Sequence, residues 1–288
     1  MNTCITFEDL ACACLFQPEV DAKLEATRAA ERALSAGRLT FDFTRPPLPA
    51  TAVCLPQTPT LVDPRSLPRR SLHTPKGLMA FLHAVAHIEF TAIVLAWDMA
   101  YRFREMPEDF LRSWLGVAIE EAHHFDAVCA RLRTLGCEYG DLPAHRGLWE
   151  LAEETADDVL HRLALVPRYM EARGLDVTPA MIHTLSAVGD TDSVAILELI
   201  LREEIGHVAL GSHWFQRVAE ERGLEPETAY FALVEQYIRG GVRGPFNRGA
   251  RMSAGFTASE LRRLEQMDGH RRRPEAAPTS DQPIGTSR

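Results

Sequence analysis

The chain has no Cys-x-x-Cys pair among its six cysteines, which stand at positions 4, 12, 14, 54, 129 and 137. This spacing argues against a zinc knuckle and a thioredoxin-type redox site, and leaves reduced, unpaired thiols as the reading. No unbroken apolar run approaches the roughly 18 residues that span a bilayer. Near the N-terminus, Glu8 and Asp9 stand where a secretory signal would have a basic start. A cytoplasmic protein with no membrane segment is therefore expected. Positive charge is also short, with 31 Lys and Arg against 40 Asp and Glu, a net charge of −9. Indiscriminate binding to nucleic acid needs clustered cations. The short basic runs at Arg65, Arg69, Arg70 and Lys76, and at Arg271, Arg272 and Arg273, read as solvated surface or tail. What is abundant is apolar material: 46% of the 288 residues are hydrophobic, enough for a substantial core.

Helical patterning fills most of the length. Residues 1–44 read as an N-terminal segment, helical over 6–37 and stopped at Gly37. Residues 45–76 form an arm with eight prolines (46, 47, 49, 56, 59, 64, 68 and 75), which cannot build helix interiors. Residues 77–221 hold four long helices, expected near 77–104, 108–135, 147–173 and 190–221, with a short helix starting at Pro179 in the last break. Residues 222–260 add a helix near 226–239 and an irregular Gly-rich stretch. In 261–288 the end of a last short helix, opened by a capping box at Thr257 and Glu260, gives way to a disordered tail. The fold class is all-α: a four-helix bundle with an N-terminal helical and proline-rich arm and C-terminal extra helices.

Within that bundle one pattern occurs twice. Glu120-Glu121-Ala-His-His124 returns 83 positions later as Glu203-Glu204-Ile-Gly-His207. Residues three apart share a helix face, so Glu121 with His124, and Glu204 with His207, can each reach one point beside their helix. A lone glutamate precedes each pair, Glu89 by 32 residues and Glu171 by 33. The seams agree: Glu89 fills a place in the apolar stripe Leu82, Val85, Ala92 and Ala96, and Trp114, Ala118, Val128 and Leu132 flank Glu121. An unpaired carboxylate in such a seam costs several kcal/mol or takes up a proton, so metal is the economical explanation. Four carboxylates and two neutral imidazoles carry −4, which cancels two divalent cations, and oxygen-rich ligands suit iron or manganese. Pro167 disturbs the helix before Glu171, and Glu153, on the same ideal face, is the substitute ligand there. Glu120 and Glu203, turned about 100° away, either hold the facing helix's histidine by a hydrogen bond or stand in solvent. His83, His87 and His123 read as packing or surface residues.

A Glu from each of two helices and Glu-x-x-His from each of two others is the arrangement of ferritin-like di-iron and di-manganese carboxylate proteins. His87-Ile-Glu89, Glu120-Glu-Ala-His-His-Phe125, Tyr139-Gly-Asp-Leu-Pro-Ala-His-Arg-Gly-Leu-Trp149, Pro167-Arg-Tyr-Met-Glu-Ala-Arg-Gly-Leu-Asp176, Glu203-Glu-Ile-Gly-His-Val208 and Pro245-Phe-Asn247 together resemble a ferritin-like family of unassigned function, domain of unknown function 455. The resemblance covers roughly residues 45–260. That family is distantly similar to the di-iron tRNA hydroxylase acting on a hypermodified adenosine, and the Glu-Ala-Arg stretch at 171 supports Glu171 by analogy. The resemblance implies the fold and the metal site and little about substrate.

The leading expectation is an oxygen-activating hydroxylase or oxidase. Glu89, Glu121, His124, Glu171, Glu204 and His207 would hold two iron ions, or manganese, or one of each. No catalytic residue is assigned beyond these ligands. Dioxygen, an unidentified electron donor and a small-molecule or modified-nucleotide substrate would be its partners, and a homodimer is compatible with the sequence. The competing expectations are ferroxidase or other iron handling, and a binding or scaffold protein whose metal is structural. Pro245-Phe-Asn247 and the proline-rich arm either cover a substrate entrance or close the bundle.

Overall fold

The computed structural model describes residues 5–67 and 71–272, with side chains as far as 268. Cys4, Arg69, Arg70, the side chains of Arg271 and Arg272, Arg273 and the tail expected to be disordered lie outside the described residues. The described chain is mostly helical, with one two-residue parallel strand pair, β1 (Ile5–Thr6) and β2 (Leu39–Thr40).

The N-terminal segment differs from the expected single helix. It is two, α1 (Phe7–Phe16) and α2 (Val20–Ser35), because Pro18 cannot continue the first. Gly37 ends the second with φ 63°, a left-handed conformation that favours glycine. This pair packs on the next two helices, where Trp97 Nε1 donates to Thr27 Oγ1 at 2.9 Å and Arg28 pairs with Asp126 at 2.8 Å. The proline-rich arm follows as extended chain with two short 3₁₀ turns.

Helix α3 (Pro75–Arg102) starts where Thr74 accepts the Gly77 amide, with Pro75 in the first turn, where a missing N–H costs nothing. By length and composition it could cross a bilayer, its window having a mean hydropathy of 1.8. Glu89 and Asp98 interrupt its apolar stretch, so no long unbroken apolar run marks it in the sequence. With 56% of that window buried inside the molecule, it has the pattern of a core helix. Helix α4 (Glu108–Thr134) returns antiparallel along it, and these two make the most extensive helix–helix contact.

The third helical stretch departs most from expectation. In place of one helix over 147–173 there are α5 (Gly147–Glu154), α6 (Val159–Leu165), a π-type turn over Val166–Glu171, and α7 (Ala172–Ala187). The break at 155–158 ends on Asp158, whose carboxylate caps α6 by accepting the Leu160 amide at 2.7 Å. Pro167 lacks an N–H, and the wider turn absorbs that loss. No helix starts anew at Pro179, which lies inside α7. The carbonyl four residues before it, on Leu175, accepts instead from Asn247 Nδ2 at 3.2 Å, so tertiary contact replaces the missing hydrogen bond.

Helix α8 (Thr191–Glu221) packs against α4, α6, the π-type turn and α7. At Gly211 an added Cβ would fall 2.5 Å from Pro167 Cβ, so glycine is what lets the π-type turn lie this close. Helices α9 (Pro226–Tyr237), α10 (Arg248–Ser253) and α11 (Ala258–Arg272) close the far side. The expected capping box is formed there: Thr257 Oγ1 accepts from the Glu260 amide and Glu260 Oε2 from the Thr257 amide. The last helix is longer than expected. Pro245-Phe-Asn247 ties this layer to α7, with the Asn247 amide donating to Asp176 Oδ1 and Arg173 Nη1 to the Pro245 carbonyl.

Candidate metal centre

Glu89 of α3, Glu121 and His124 of α4, and Glu204 of α8 each present a ligand-type atom within 4.8 Å of the others. His207 of α8 joins them, its Nδ1 lying 3.0 Å from Glu121 Oε1 and 3.6 Å from Glu204 Oε1. The two imidazole ring centres are 6.0 Å apart. Glu171 lines the same cavity as Glu89 and Glu204 and interacts electrostatically with Glu204, Glu121 and His207. It is half-buried as a residue, while its Oε2 is sealed from solvent. The cluster is thus a buried group of Glu and His that could hold a metal ion.

The i,i+3 spacing accounts for the pairs, and the antiparallel packing of α3 on α4 brings Glu89 opposite them. A crossed pair of hydrogen bonds fixes the imidazoles. His124 Nε2 lies 2.8 Å from Glu203 Oε2 on α8, and His207 Nε2 lies 2.7 Å from Glu120 Oε2 on α4. Carboxylate oxygens only accept, so each Nε2 carries a proton and each Nδ1 is turned toward the acids. His124 Nδ1 lies 3.1 Å from Glu89 Oε2.

The cluster also has unmet bonding capacity. Glu121 Oε1, Glu171 Oε2, Glu204 Oε2 and His207 Nδ1 are buried with no hydrogen-bond partner. His207 Nδ1 is close to Glu121 Oε1 yet not aligned with it, as expected when both face a common third point. Orphaned buried polar atoms are rare and costly. Four of them in one cluster of carboxylates and imidazoles fit one or more cations.

Without cations, protons must do this work. Burial, with the Glu121 charge beside it, pushes the Glu89 carboxyl up to about 8 against the opposing pull of His124. Glu171 is raised well above the carboxylate range by burial and by Glu204 and Glu121. Burial would lower His124, but its contacts with Glu121 and Glu89 outweigh that and push it up to about 11. His207 is raised for the same reason by Glu120, Glu121 and Glu204. On the rim, the hydrogen bond from His207 holds Glu120 below the ordinary carboxylate value.

Glu153 is elsewhere, bonded to Arg146 at 2.8 Å and to Trp149 Nε1 at 3.1 Å. His83 accepts the Gly140 amide, His87 bridges the Tyr139 hydroxyl and the His145 carbonyl, and His123 lies 3.4 Å from Glu31 at the surface. A cavity of about 360 Å³ adjoins the acids, bounded by α3, α7 and α8 with His145 and Leu148. Neither the proline-rich arm nor Pro245-Phe-Asn247 lines it. The sequence reading missed its wall, because apolar helix residues signal core and cavity alike. A larger cleft of about 690 Å³ near Arg28, Arg133 and Tyr139 touches none of the six clustered residues.

Residues 16–262 match a family described as protein of unknown function (DUF455). The match begins well before residue 45, so α2 lies within the family's shared part rather than outside it. Over 213 residues, 72% of this chain and 74% of the relative, the chain is 46% identical to a protein of Haemophilus influenzae (strain ATCC 51907 / DSM 11121 / KW20 / Rd) named "Uncharacterized protein". No solved structure matches.

Proposed function

The chain belongs to the family described as protein of unknown function (DUF455), and because that description names no chemistry, we propose from its side chains that it is a ferritin-like four-helix bundle holding two metal ions, iron or manganese, and acting as an oxygen-activating hydroxylase or oxidase. α3, α4, the stretch from the π-type turn through α7, and α8 are the four helical members. The observation that carries the reading is the set of four orphaned atoms, Glu121 Oε1, Glu171 Oε2, Glu204 Oε2 and His207 Nδ1, inside a cluster of four carboxylates and two imidazoles. Proton uptake alone leaves a buried acid cluster with no task, whereas two divalent cations neutralise it and use every orphan.

The residues divide the work. Glu89, Glu121, Glu171 and Glu204 supply oxygen ligands, and His124 and His207 supply nitrogen through Nδ1. Glu120 and Glu203 hold the Nε2 protons and so keep both rings turned inward. Bound iron or manganese would supply redox chemistry toward dioxygen, which these side chains cannot perform themselves. The apolar residues along the adjoining cavity keep water away from the reacting end. This cavity favours an organic substrate over iron storage, which needs no such space.

The purified protein, loaded with iron in the cell, should hold about two metal ions per chain. Glu121→Ala and Glu204→Ala should each empty the site with helicity retained, and Glu220→Ala should change neither. Metal below half an equivalent in the unaltered protein, or full metal in both ligand variants, would refute the assignment.

A further inference from the structure

We propose that the cavity beside the acid cluster is a binding site for a neutral ligand with an aliphatic body, whose uncharged end lies against Glu89, Glu171 and Glu204. The binding step stands on the cavity alone, and only the fate of the ligand at that end rests on the metal-centre reading. At about 360 Å³ the cavity falls in the range of small-molecule sites.

Its shape follows from three helices. Along α3, Phe81 is eight residues before Glu89, about 12 Å at 1.5 Å per residue. On α8, Leu197 precedes Glu204 by seven residues, about 10 Å, and on α7 Met181 follows Glu171 by ten, about 15 Å along a helix. α7 runs antiparallel to α8, so Phe81, Leu197 and Met181 all lie toward the end away from the carboxylates. The cavity is therefore elongated, with its acids gathered at one end. Between the ends the walls include Val85, Ile88, Val177 and Leu201. Ile88 is 50% exposed, unusual for a large aliphatic residue, and leaves that wall open for entry.

Charge selects against an acid. An anionic tip would be buried among mostly apolar walls, and an ion buried without a partner costs several kcal/mol. The one Arg lining the cavity is already engaged: Arg173 Nη1 lies 3.1 Å from Asp176 Oδ2 and donates to the carbonyls of Arg243 and Pro245. His145 Nδ1 accepts the Gly147 amide. An anionic headgroup thus finds both Arg173 and His145 already engaged, while a neutral chain meets apolar walls along most of the cavity.

The test is calorimetric titration of the full-length protein with n-octanol and with octanoate, metal content being measured on each sample. Octanol should bind saturably at one site, and octanoate at least roughly tenfold more weakly, a difference of about 1.4 kcal/mol. Val177→Trp and Leu201→Trp, which fill the cavity from different helices, should each weaken octanol by tenfold or more with wild-type helicity and metal content. Absence of saturable octanol binding, octanoate binding as tightly as octanol, or undiminished binding in whichever filled variant folds would overturn the proposal. Octanol bound by protein that takes up no metal would refute the metal-centre reading and leave this one standing. Metal bound with no octanol site would do the reverse.

Discussion

Replacing Glu89 by Gln should stabilise the metal-free protein and weaken the metal-bound one. Glu89 is only 4% exposed, and burial with the neighbouring Glu121 charge pushes its carboxyl from an ordinary 4.5 up to about 8. At pH 7 the folded protein therefore holds a proton that the unfolded chain has released. Since the folded state binds more protons, stability falls as pH rises from about 4.5 to about 8 and then levels off. Between the unfolded value and neutrality the cost is about 3 kcal/mol, at 1.36 kcal/mol per unit. Gln is neutral at every pH and escapes that cost. Metal-free Glu89→Gln should thus gain up to about 3 kcal/mol at pH 7, roughly 5–10 °C in Tm for a chain of this size. The gain should be near zero at pH 4.5 and complete above pH 8. With Mn(II) or anaerobic Fe(II) added, the order should invert, because the variant has lost an anionic ligand. Thermal melts with chelator and with metal, across pH 4.5–8.5, would measure both effects. A variant-minus-wild-type difference that does not change with pH, or a metal-free variant less stable than wild type, would refute the reasoning.

Three further outcomes are expected. Asp98→Ala should cost about 3–5 kcal/mol in denaturant unfolding, because it leaves the buried Arg162 guanidinium, 2.6 Å from Asp98 Oδ2, without its counter-charge; a change under about 1 kcal/mol would contradict this. Glu120→Ala and Glu203→Ala should each lower metal affinity about 10–100-fold in competition with a chelator while leaving the melt of the metal-free protein no lower than wild type by more than a few degrees; unchanged affinity in both would show that the crossed hydrogen bonds do not orient the imidazoles. Gly211→Ala should destabilise by about 1–3 kcal/mol, since its methyl would fall 2.5 Å from Pro167 Cβ, and should loosen metal binding through Glu171; wild-type stability would mean that the π-type turn yields freely.

Local periodicity made much of this readable in sequence. Glu121 with His124 and Glu204 with His207 depend only on three-residue spacing within long, unbroken helices, and α3, α4 and α8 lie within a few residues of their expected bounds. Where long-range contacts override local rules, the reading failed. Pro179 reads as a helix start, yet α7 passes through it because Asn247, 68 positions later, supplies the hydrogen bond that proline removes. Glu153 and Glu171 share a face only if one ideal helix runs from 147 to 173. The break at 155–158 and the wider turn at Val166–Glu171 reset that phase and send Glu153 to Arg146 and Trp149. The crossed pairing of Glu120 and Glu203 required knowing which helices face each other, which no single-helix pattern contains.

The π-type turn connects these departures to the chemistry. In a regular α-helix, Arg168 and Glu171 are three apart, share a face and would pair. A buried Arg–Glu pair would neutralise a carboxylate that the proposed reading assigns to metal. Here the turn around Pro167 separates them. Arg168, fully buried, pairs with Glu260 at 2.8 Å and donates to Ser212, its guanidinium 4.4 to 4.8 Å from the ring centres of Phe215, Tyr230 and Phe256. Glu171 turns the other way, toward Glu204 and Glu121, and its Oε2 finds no partner. A proline that removes one helical hydrogen bond and a glycine that admits the resulting bulge thus accompany a buried acid left unpaired with the Arg three residues before it. Such a cost is understandable where the acid's partner is meant to come from outside the chain.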